Sequence, residues 1–230
     1  MGEQTDPNWF PPLDQALREP PGLLAAGGDL SPARLLAAYE RGVFPWYSAQ
    51  QPILWWSPDP RMVLFPEEFN CSRSLRKTLR NGPLRTRVDQ AFSETIRGCA
   101  APRVSGPDTW LNHEMIASYE QLHELGFGHS VETYLDDELV GGLYGIQMGQ
   151  VFFGESMFSR QRDASKVALA RLVEECRARD IRLIDCQVAS SHLASLGARE
   201  VSRTRFVMLL KQHARRIPRG TWCSPSPANP

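Results

Sequence analysis

The sequence predicts an α+β fold in which a small, proline-rich N-terminal domain precedes a larger C-terminal domain. Eleven of the 18 prolines and four of the six tryptophans lie within residues 1–66, whereas residues 108–217 contain no proline. Proline supplies no backbone donor for a strand ladder, so the first segment is expected to be rich in loops. In the remainder the apolar period changes from 3.6 to 2, which is typical of helices packed on an antiparallel sheet. We therefore expect domains at 1–66 and 67–217 and a disordered tail at 218–230.

Three helices are predicted ahead of the sheet. The stretch "DLSPARLLAAYERG" offers Ser31 as an N-cap and Pro32 in the first turn. A second helix, "SRSLRKTLRNG", should stop at Asn81 and Gly82. A third, "WLNHEMIASYEQLHELG" at 110–126, is apolar at helical spacing and ends at a glycine.

The central segment alternates apolar and polar residues and predicts strands. In "HSVETYLDDELVGGLYGIQMGQVFFGES" we expect turns at Asp136–Asp137 and at Met148–Gly149. The long amphipathic helix "DASKVALARLVEECRARD" should follow, capped by Asp163 or Ser165. The stretch "IRLIDCQVAS" predicts another strand and "SHLASLG" a short helix. The last stretch, "REVSRTRFVMLL", is expected to end the fold in β structure.

Composition excludes several classes of protein. The 26 lysines and arginines balance 26 acidic residues, so a nucleic-acid site would have to come from a local basic cluster. Apolar runs of at most about five residues are too short to span a bilayer. The first residues, "MGEQTDPNWF", lack a secretory signal pattern, and the five scattered cysteines suggest neither disulfides nor a zinc site. We expect a reduced, cytoplasmic protein.

Polar residues on two of the predicted strands point to one cleft. Along "RLIDCQV", period 2 puts Asp185 and Gln187 on one face, and Glu155 in "VFFGES" shares its face with Phe153. The element order resembles the acyl-CoA N-acyltransferase (GNAT) fold, in which two such strands splay apart. Three polar side chains in an apolar cleft suit catalysis. The alternative is an Asp–Gln pair that ties down neighbouring backbone groups.

Other features bear on the kind of donor. The loop before the long helix, "FSRQRDAS", has no glycine to hold the pyrophosphate of acyl-CoA. The histidines are scattered along the chain, and no Ser-His-Asp or Cys-His arrangement is evident. A substrate other than acyl-CoA is therefore expected, with chemistry other than nucleophilic catalysis.

Several long blocks resemble the leucyl/phenylalanyl-tRNA–protein transferase family. They are "EPPGLLAAGGDLSPARLLAAYERGVFPWYS", "PILWWSPDPRMVLFP", "ELVGGLYGI", "FFGESMFSR", "ASKVALARL" and "LIDCQV", and the likeness runs from about Phe10 to Leu210. It implies a GNAT-like C-terminal domain. It also implies transfer of leucine or phenylalanine from tRNA to the α-amine of proteins with N-terminal lysine or arginine, which creates an N-degron. No cofactor, metal or membrane is implied, and we expect a monomer.

The resemblance also implies roles for individual residues. Asp185 and Gln187 would orient the attacking amine and help to remove its proton, and whether Asp185 is the base or only an orienter stays open. Glu155 would bind near the terminal adenosine and the ester. Trp46 and Trp110 would stack on that adenosine. The remaining matches are the aminoacyl pocket, with Leu143, Phe152, Met157 and Leu172, and two further site-lining residues, Tyr119 and Ser159.

A basic helix face is the candidate tRNA contact. The spacing i, i+3, i+4 and i+7 places four cations on one face of the second helix: Arg73, Arg76, Lys77 and Arg80. The alternative is an ordinary solvated helix face. In the aminoacyl pocket, methionine is a further candidate donor, because an apolar pocket separates similar side chains by only about 1–3 kcal/mol.

Three rival functions share some of these features. An acyl-CoA N-acyltransferase fits the fold but not the glycine-free loop. A peptidoglycan-type aminoacyl-tRNA ligase shares fold and donor but is normally a larger, duplicated chain. A non-enzymatic tRNA-binding module would leave Glu155, Asp185 and Gln187 without a purpose.

Overall fold

The computed structural model describes residues 8–48, 50–101, 111–218 and 220–222. The N-terminal part forms a three-stranded antiparallel sheet of order β1-β3-β2, with one helix inserted between its first two strands. Its elements are β1 (Leu23–Ala26), α1 (Pro32–Glu40), β2 (Phe44–Pro45) and β3 (Leu54–Trp56).

The larger part is a seven-stranded sheet of order β10-β4-β9-β8-β7-β6-β5. All neighbouring strands are antiparallel except β8 and β9, which run parallel. The strands are β4 (Arg61–Leu64), β5 (Arg85–Val88), β6 (Gly128–Leu135), β7 (Glu138–Met148), β8 (Val151–Ser159), β9 (Leu183–Gln187) and β10 (Arg199–Val201). The helices are α2 (Arg73–Asn81), α3 (Phe92–Ala100), α4 (His113–Glu124), α5 (Ala164–Ala178), α6 (Ser191–Ser195) and α7 (Arg203–His213). The α+β class is confirmed.

Two apolar cores lie against this sheet. The first joins residues of α1, α3, α4 and α7 to Tyr144 and Phe153 of the sheet. The second joins residues of α2 and α5 to Leu143 and Phe152, the sequence neighbours of those two. Because side chains alternate along a strand, consecutive residues face different cores. No helix of the described residues is both long and apolar enough to cross a membrane.

The predicted hairpins and the long helix are confirmed, but the predicted cap is not, because Asp163 at the N-cap makes no side-chain capping hydrogen bond and Ser165 lies inside α5. Asp136 and Asp137 have φ of +48° and +64°, and they join β6 to β7, as a tight hairpin turn requires. Gly149, with φ +61°, turns the chain from β7 into β8. Tyr144 of β7 pairs with Ser156 of β8 and Gly145 pairs with Gly154, so Glu155 is the extra residue of a β-bulge in β8. A bulge re-aims a side chain, and here it re-aims that of Glu155.

The prediction that "REVSRTRFVMLL" ends in β structure is wrong for most of its length. Only Arg199–Val201 form a strand, and α7 begins directly after it. Ser202 caps this helix, because its side chain accepts a hydrogen bond from the backbone N–H of Arg205 at 3.2 Å. Phe206, Leu209 and Leu210 then recur at helical spacing and are buried.

The ends of the predicted domains also differ from the expectation. The strand β4, which lies ahead of residue 66, already belongs to the seven-stranded sheet. The expected disorder from residue 218 is wrong at Trp222, which is 2% exposed and packs in the second core. An indole buries a large apolar area, which holds this part of the chain against the core. Residues 223–230 lie outside the described residues.

Candidate active site

Glu155 and Gln187 meet where two parallel strands stop pairing. The last backbone pair between β8 and β9 is Phe153 with Asp185. Two residues further on, the side-chain amide of Gln187 donates to Glu155 Oε1 at 2.9 Å. The structure thus brings together two of the three polar residues that the sequence placed in one cleft, and it does so at the carboxyl end of β9, beside the middle of β8.

The third residue, Asp185, is bound to an arginine of β4. Arg61 Nε donates to Asp185 Oδ1 at 2.8 Å and Arg61 Nη2 donates to Asp185 Oδ2 at 2.6 Å. Their side chains are 1% and 0% exposed, so this is a buried, bidentate ion pair. Asp185 Oδ1 also accepts the backbone N–H of Gln187 at 3.0 Å. Asp185 therefore holds the backbone at Gln187. This agrees with the alternative interpretation of the sequence, in which this pair ties down neighbouring backbone groups.

Arg61 is a residue that the sequence reasoning missed. Its guanidinium lies over the rings of Phe44 and Phe206, at 4.7 and 4.6 Å, and donates to the carbonyl of Gly42 at 3.1 Å. The signal in the sequence was a lone arginine at the start of the apolar run "RMVLF". A buried cation needs a counter-charge, so Arg61 and Asp185 could have been expected to pair.

Glu155 ends a chain of buried hydroxyl groups. Tyr119 donates to Glu155 Oε2 at 2.7 Å, and the hydroxyl of Tyr39 lies 2.7 Å from that of Tyr119. Since Tyr119 has one proton and gives it to Glu155, Tyr39 must donate to Tyr119. Burial raises the pKa of both tyrosines well above the usual range, so both remain donors. Tyr144 packs edge-on against Tyr119, with ring centroids 5.5 Å apart.

Burial also sets the protonation of Glu155. Desolvation raises the pKa of this carboxyl to about 7, against the lowering effect of the hydrogen bond from Tyr119. The nearby negative charge of Asp185 raises the pKa further. A carboxyl group that titrates near neutrality in a site of this kind can both accept and return a proton.

Gln187 is held in a strained backbone conformation. Its φ is +63°, in the left-handed region that a residue with a side chain rarely adopts. The hydrogen bonds to Asp185 and Glu155 fix it there. Strain of this kind concentrates at functional sites, where the surrounding structure over-determines one geometry.

The predicted aminoacyl-pocket residues form one apolar group. Leu143, Phe152 and Leu172 are buried together in the second core, and Met157 packs against it half-buried. The Glu155 network belongs to the first core, through Tyr39 and Tyr119. The two groups of residues therefore belong to different cores of the sheet.

The other predicted site residues have different surroundings. Tyr119 is in the network, as described. Trp46 is 45% exposed; its ring centroid lies 5.8 Å from that of Trp56, whose indole N–H donates to the Trp46 carbonyl at 2.6 Å. Ser159 is exposed, donates to the carbonyl of Gln161 and accepts the backbone N–H of Ser165 at the start of α5. Trp110 lies outside the described residues.

The basic face predicted on α2 is open to solvent. Leu75 is the buried residue of the helix, and the four cations on its outer side are all exposed. Within the described ranges none of these four forms an ion pair, although Arg76 Nε donates to the carbonyl of Cys71 at 3.0 Å. The cations in question are Arg73, Arg76, Lys77 and Arg80.

Comparison with protein families gives two adjoining matches. Residues 63–211 match the model described as leucyl/phenylalanyl-tRNA protein transferase, and residues 28–59 match the model of its N-terminal domain. Leucyl/phenylalanyl-tRNA--protein transferase of Nitrosospira multiformis is 56% identical over 215 residues, which is 93% of each chain. The proteins of that name from Chromobacterium violaceum and Stutzerimonas stutzeri are also 56% identical, over 90% and 93% of this chain and 88% and 94% of theirs.

Solved structures give a more distant likeness. A GCN5-related N-acetyltransferase from Kribbella flavida matches with a TM-score of 0.42 and 12% identity, over 74% of this chain and 61% of that one. The C-terminal domain of a putative lysylphosphatidylglycerol synthetase from Agrobacterium fabrum matches with a TM-score of 0.40 and 11% identity, over 72% and 55%. At these scores the likeness carries no argument about activity.

Proposed function

The chain belongs to the leucyl/phenylalanyl-tRNA protein transferase family, and from this premise we propose that it moves leucine or phenylalanine from tRNA onto the α-amine of proteins that begin with lysine or arginine. The general activity, transfer of an aminoacyl group from tRNA to a protein, follows from membership of the family. The observation that best supports the proposed reaction is the environment of Glu155. It is a buried carboxyl with a pKa of about 7, held by Gln187 and Tyr119 where β8 and β9 part beside an apolar core.

The reaction needs little beyond positioning. The amine nitrogen attacks the ester carbonyl carbon, a C–N bond forms, and the bond from that carbon to the ribose oxygen of the tRNA breaks. The amine loses one proton and the ribose oxygen gains one. The ester is already activated, and an α-amine with a pKa near ~8 is partly neutral at pH ~7. Holding the two reactants in place can supply about 7–11 kcal/mol of the barrier.

Glu155 is the group best placed to carry the proton. Its pKa of about 7 lies close to that of the amine, so it can take the proton and give it to the leaving oxygen. Gln187 has no proton to exchange, but its amide can orient the amine or the ester by hydrogen bonds. Asp185 acts through its bonds to Arg61 and to the Gln187 backbone, because the buried guanidinium of Arg61 binds both of its oxygens and balances its charge.

The apolar group on the other side of the sheet suits the donor's side chain. Leu143, Phe152, Met157 and Leu172 offer no polar partner, which favours leucine and phenylalanine and admits methionine. Shape at the mouth of the pocket should reject the β-branched side chains of valine and isoleucine. Trp46 and Trp110 would stack on the terminal adenosine, and the exposed face of α2 would contact tRNA phosphates.

The product would be a protein with a new bulky N-terminal residue. Such a residue is the recognition element of an N-degron, so the modified protein would enter regulated degradation. The acceptor's lysine or arginine side chain requires a partner of negative charge or carbonyl character.

A direct assay tests the proposal. The protein is incubated with Leu-tRNA, Phe-tRNA, Met-tRNA or Val-tRNA and a peptide that begins with arginine, and mass spectrometry detects the extended peptide. The same peptide with an acetylated N-terminus is the control. We expect extension from Leu-, Phe- and Met-tRNA only, and only on the free amine. Acetylation of the peptide when acetyl-CoA replaces the charged tRNA would contradict the proposal, and so would transfer from Val-tRNA at the same rate as from Leu-tRNA.

Substitutions connect the assay to the site. Gln187→Ala should lower the transfer rate by at least about tenfold, because it removes an orienting amide. Gln212→Ala on the exposed side of α7 is the matched control and should transfer at the wild-type rate. Equal rates for the two variants would remove Gln187 from the mechanism.

A further inference from the structure

The C-terminal segment returns to the sheet and places Trp222 beside residues of the predicted aminoacyl pocket. Trp222 is buried in the second core, which also contains Leu143, Phe152 and Leu172. The rings of Trp222 and Phe152 lie 5.7 Å apart between centroids, at an angle of 44°. A residue 70 positions away in sequence thus touches a residue of the proposed donor pocket.

Hydrogen bonds and ring contacts hold both the backbone and the side chain of Trp222 in place. Its backbone N–H donates to Asp89 Oδ2 at 2.6 Å, and its indole N–H donates to Gln147 Oε1 at 2.9 Å. Its ring stacks on His129, with centroids 4.4 Å apart and planes 17° apart, and the guanidinium of Arg179 lies 5.0 Å from the ring centroid. Both N–H donors of this buried tryptophan therefore have acceptors, one in the sheet and one in the loop after β5.

The partners of Trp222 are themselves held rigidly. Asp89 Oδ1 accepts the backbone N–H of Ser130, and Asp89 Oδ2 lies 2.8 Å from His129 Nδ1. Burial lowers the pKa of His129, so at neutral pH the ring is neutral, with its proton on the nitrogen that faces the carboxylate. The indole is thus stacked on a ring whose position is determined by the sheet.

Phe152 has little freedom on its sheet side. A Cβ added at Gly145 would lie 2.6 Å from Phe152 Cε1, so the ring rests directly on the backbone of β7. Trp222 supplies a second contact to the same ring. The position of the Phe152 ring is therefore set by strand backbone and by the C-terminal indole.

We propose that Trp222 is a positioning residue for the donor's side chain, which sets the depth of the aminoacyl pocket by holding the ring of Phe152. This inference rests on the proposed function, because it assumes that Phe152 lines the donor pocket. A smaller residue at 222 leaves space into which the Phe152 ring can withdraw. The pocket then becomes deeper, which favours a large donor side chain over a small one.

The experiment measures donor preference. We compare kcat/KM for Phe-tRNA and Leu-tRNA in the wild type, in Trp222→Leu and in Trp222→Phe, with an arginine-initiated peptide as acceptor. Trp222→Leu should raise the Phe:Leu ratio about fivefold, a change at the low end of what one methylene is worth in an apolar pocket. Trp222→Phe should give a smaller rise in the same direction. Trp9→Ala, at a tryptophan that is 54% exposed, is the matched control and should leave the ratio unchanged.

The outcomes separate this inference from the function on which it rests. If the wild type transfers neither amino acid, the proposed function fails and the inference fails with it. If the wild type is active but both folded variants keep the wild-type ratio, or lose both donors equally, then Trp222 is only structural and the inference alone is overturned. Should Trp222→Leu fail to fold, the ratio in Trp222→Phe decides by the same criterion, with its thermal midpoint as the check on folding.

Discussion

Replacing Glu155 with glutamine is the sharpest test of how burial has tuned this site. Glutamine keeps the shape of the side chain and can still bond to Tyr119 and Gln187, but it never ionises. The wild-type carboxyl has a pKa raised from 4.5 to about 7, mainly by desolvation. The variant therefore removes a titration and preserves the packing.

The sign of the effect follows from the direction of the shift. Between pH 4.5 and about 7 the folded protein keeps a proton on Glu155 that the unfolded chain has released. The stability from this group is therefore complete below the unfolded pKa and is lost as the pH rises through the folded pKa. The difference of about two and a half pKa units corresponds to about 3 kcal/mol. Glu155→Gln should become more stable relative to wild type by this amount as the pH rises.

Urea unfolding at about pH 5 and about pH 8 measures this change. Glu138→Gln, at an exposed position that starts β7, corrects for the general effect of removing one carboxylate. Transfer activity should fall by at least about 10²-fold in Glu155→Gln, as for loss of a general base. If the stability difference between wild type and Glu155→Gln were the same at both pH values, the argument from burial would be wrong.

Three other predictions follow from the contacts of the site and of α2. Arg61→Met should lower the free energy of unfolding by about 3–5 kcal/mol, because it leaves Asp185 buried without a counter-charge. In a double-mutant cycle measured by urea unfolding, Arg61→Met with Asp185→Leu should lose less stability than the sum of the two single variants. Additive losses would refute the coupling. Gln187→Gly should be about 1 kcal/mol more stable than Gln187→Ala, because glycine accepts φ +63° without strain, and equal urea midpoints would show that no strain is stored. The double variant Arg76→Glu, Lys77→Glu should bind tRNA with a shallower dependence of log K on log salt concentration. The slope should fall by about 1 for each phosphate that is no longer neutralised. An unchanged slope would rule out this helix face as a tRNA contact.

The elements of the C-terminal half differ in how much of their structure local sequence determines. The long helix α5 and the hairpins β6–β7 and β7–β8 were predicted because their signals are local: period, cap and turn residues lie within a few positions of one another. The segment of α7 was predicted as a strand because a short apolar run fits either period. Its helix is decided by the Ser202 cap and by the burial of Phe206, Leu209 and Leu210 against the first core.

In the candidate site, too, local patterns identified individual residues but did not identify their distant partners. Period 2 along β9 predicted Asp185 and Gln187 on one face, and an isolated glutamate in an apolar run marked Glu155 as a residue in need of a partner. The partners themselves were not predictable. Arg61 lies 124 positions from Asp185, and the Tyr119 hydroxyl that bonds Glu155 lies 36 positions away from it.

The sequence alone thus determined the class of fold, the main elements and the polar residues that require explanation, because each of these depends on residues close together in the chain. Only the tertiary structure decided that Asp185 is neutralised by Arg61, that Glu155 has a pKa of about 7, and that Trp222 reaches Phe152. Those properties depend on which distant groups packing brings together and how far it removes them from water, and neither distance nor desolvation is encoded at a single position.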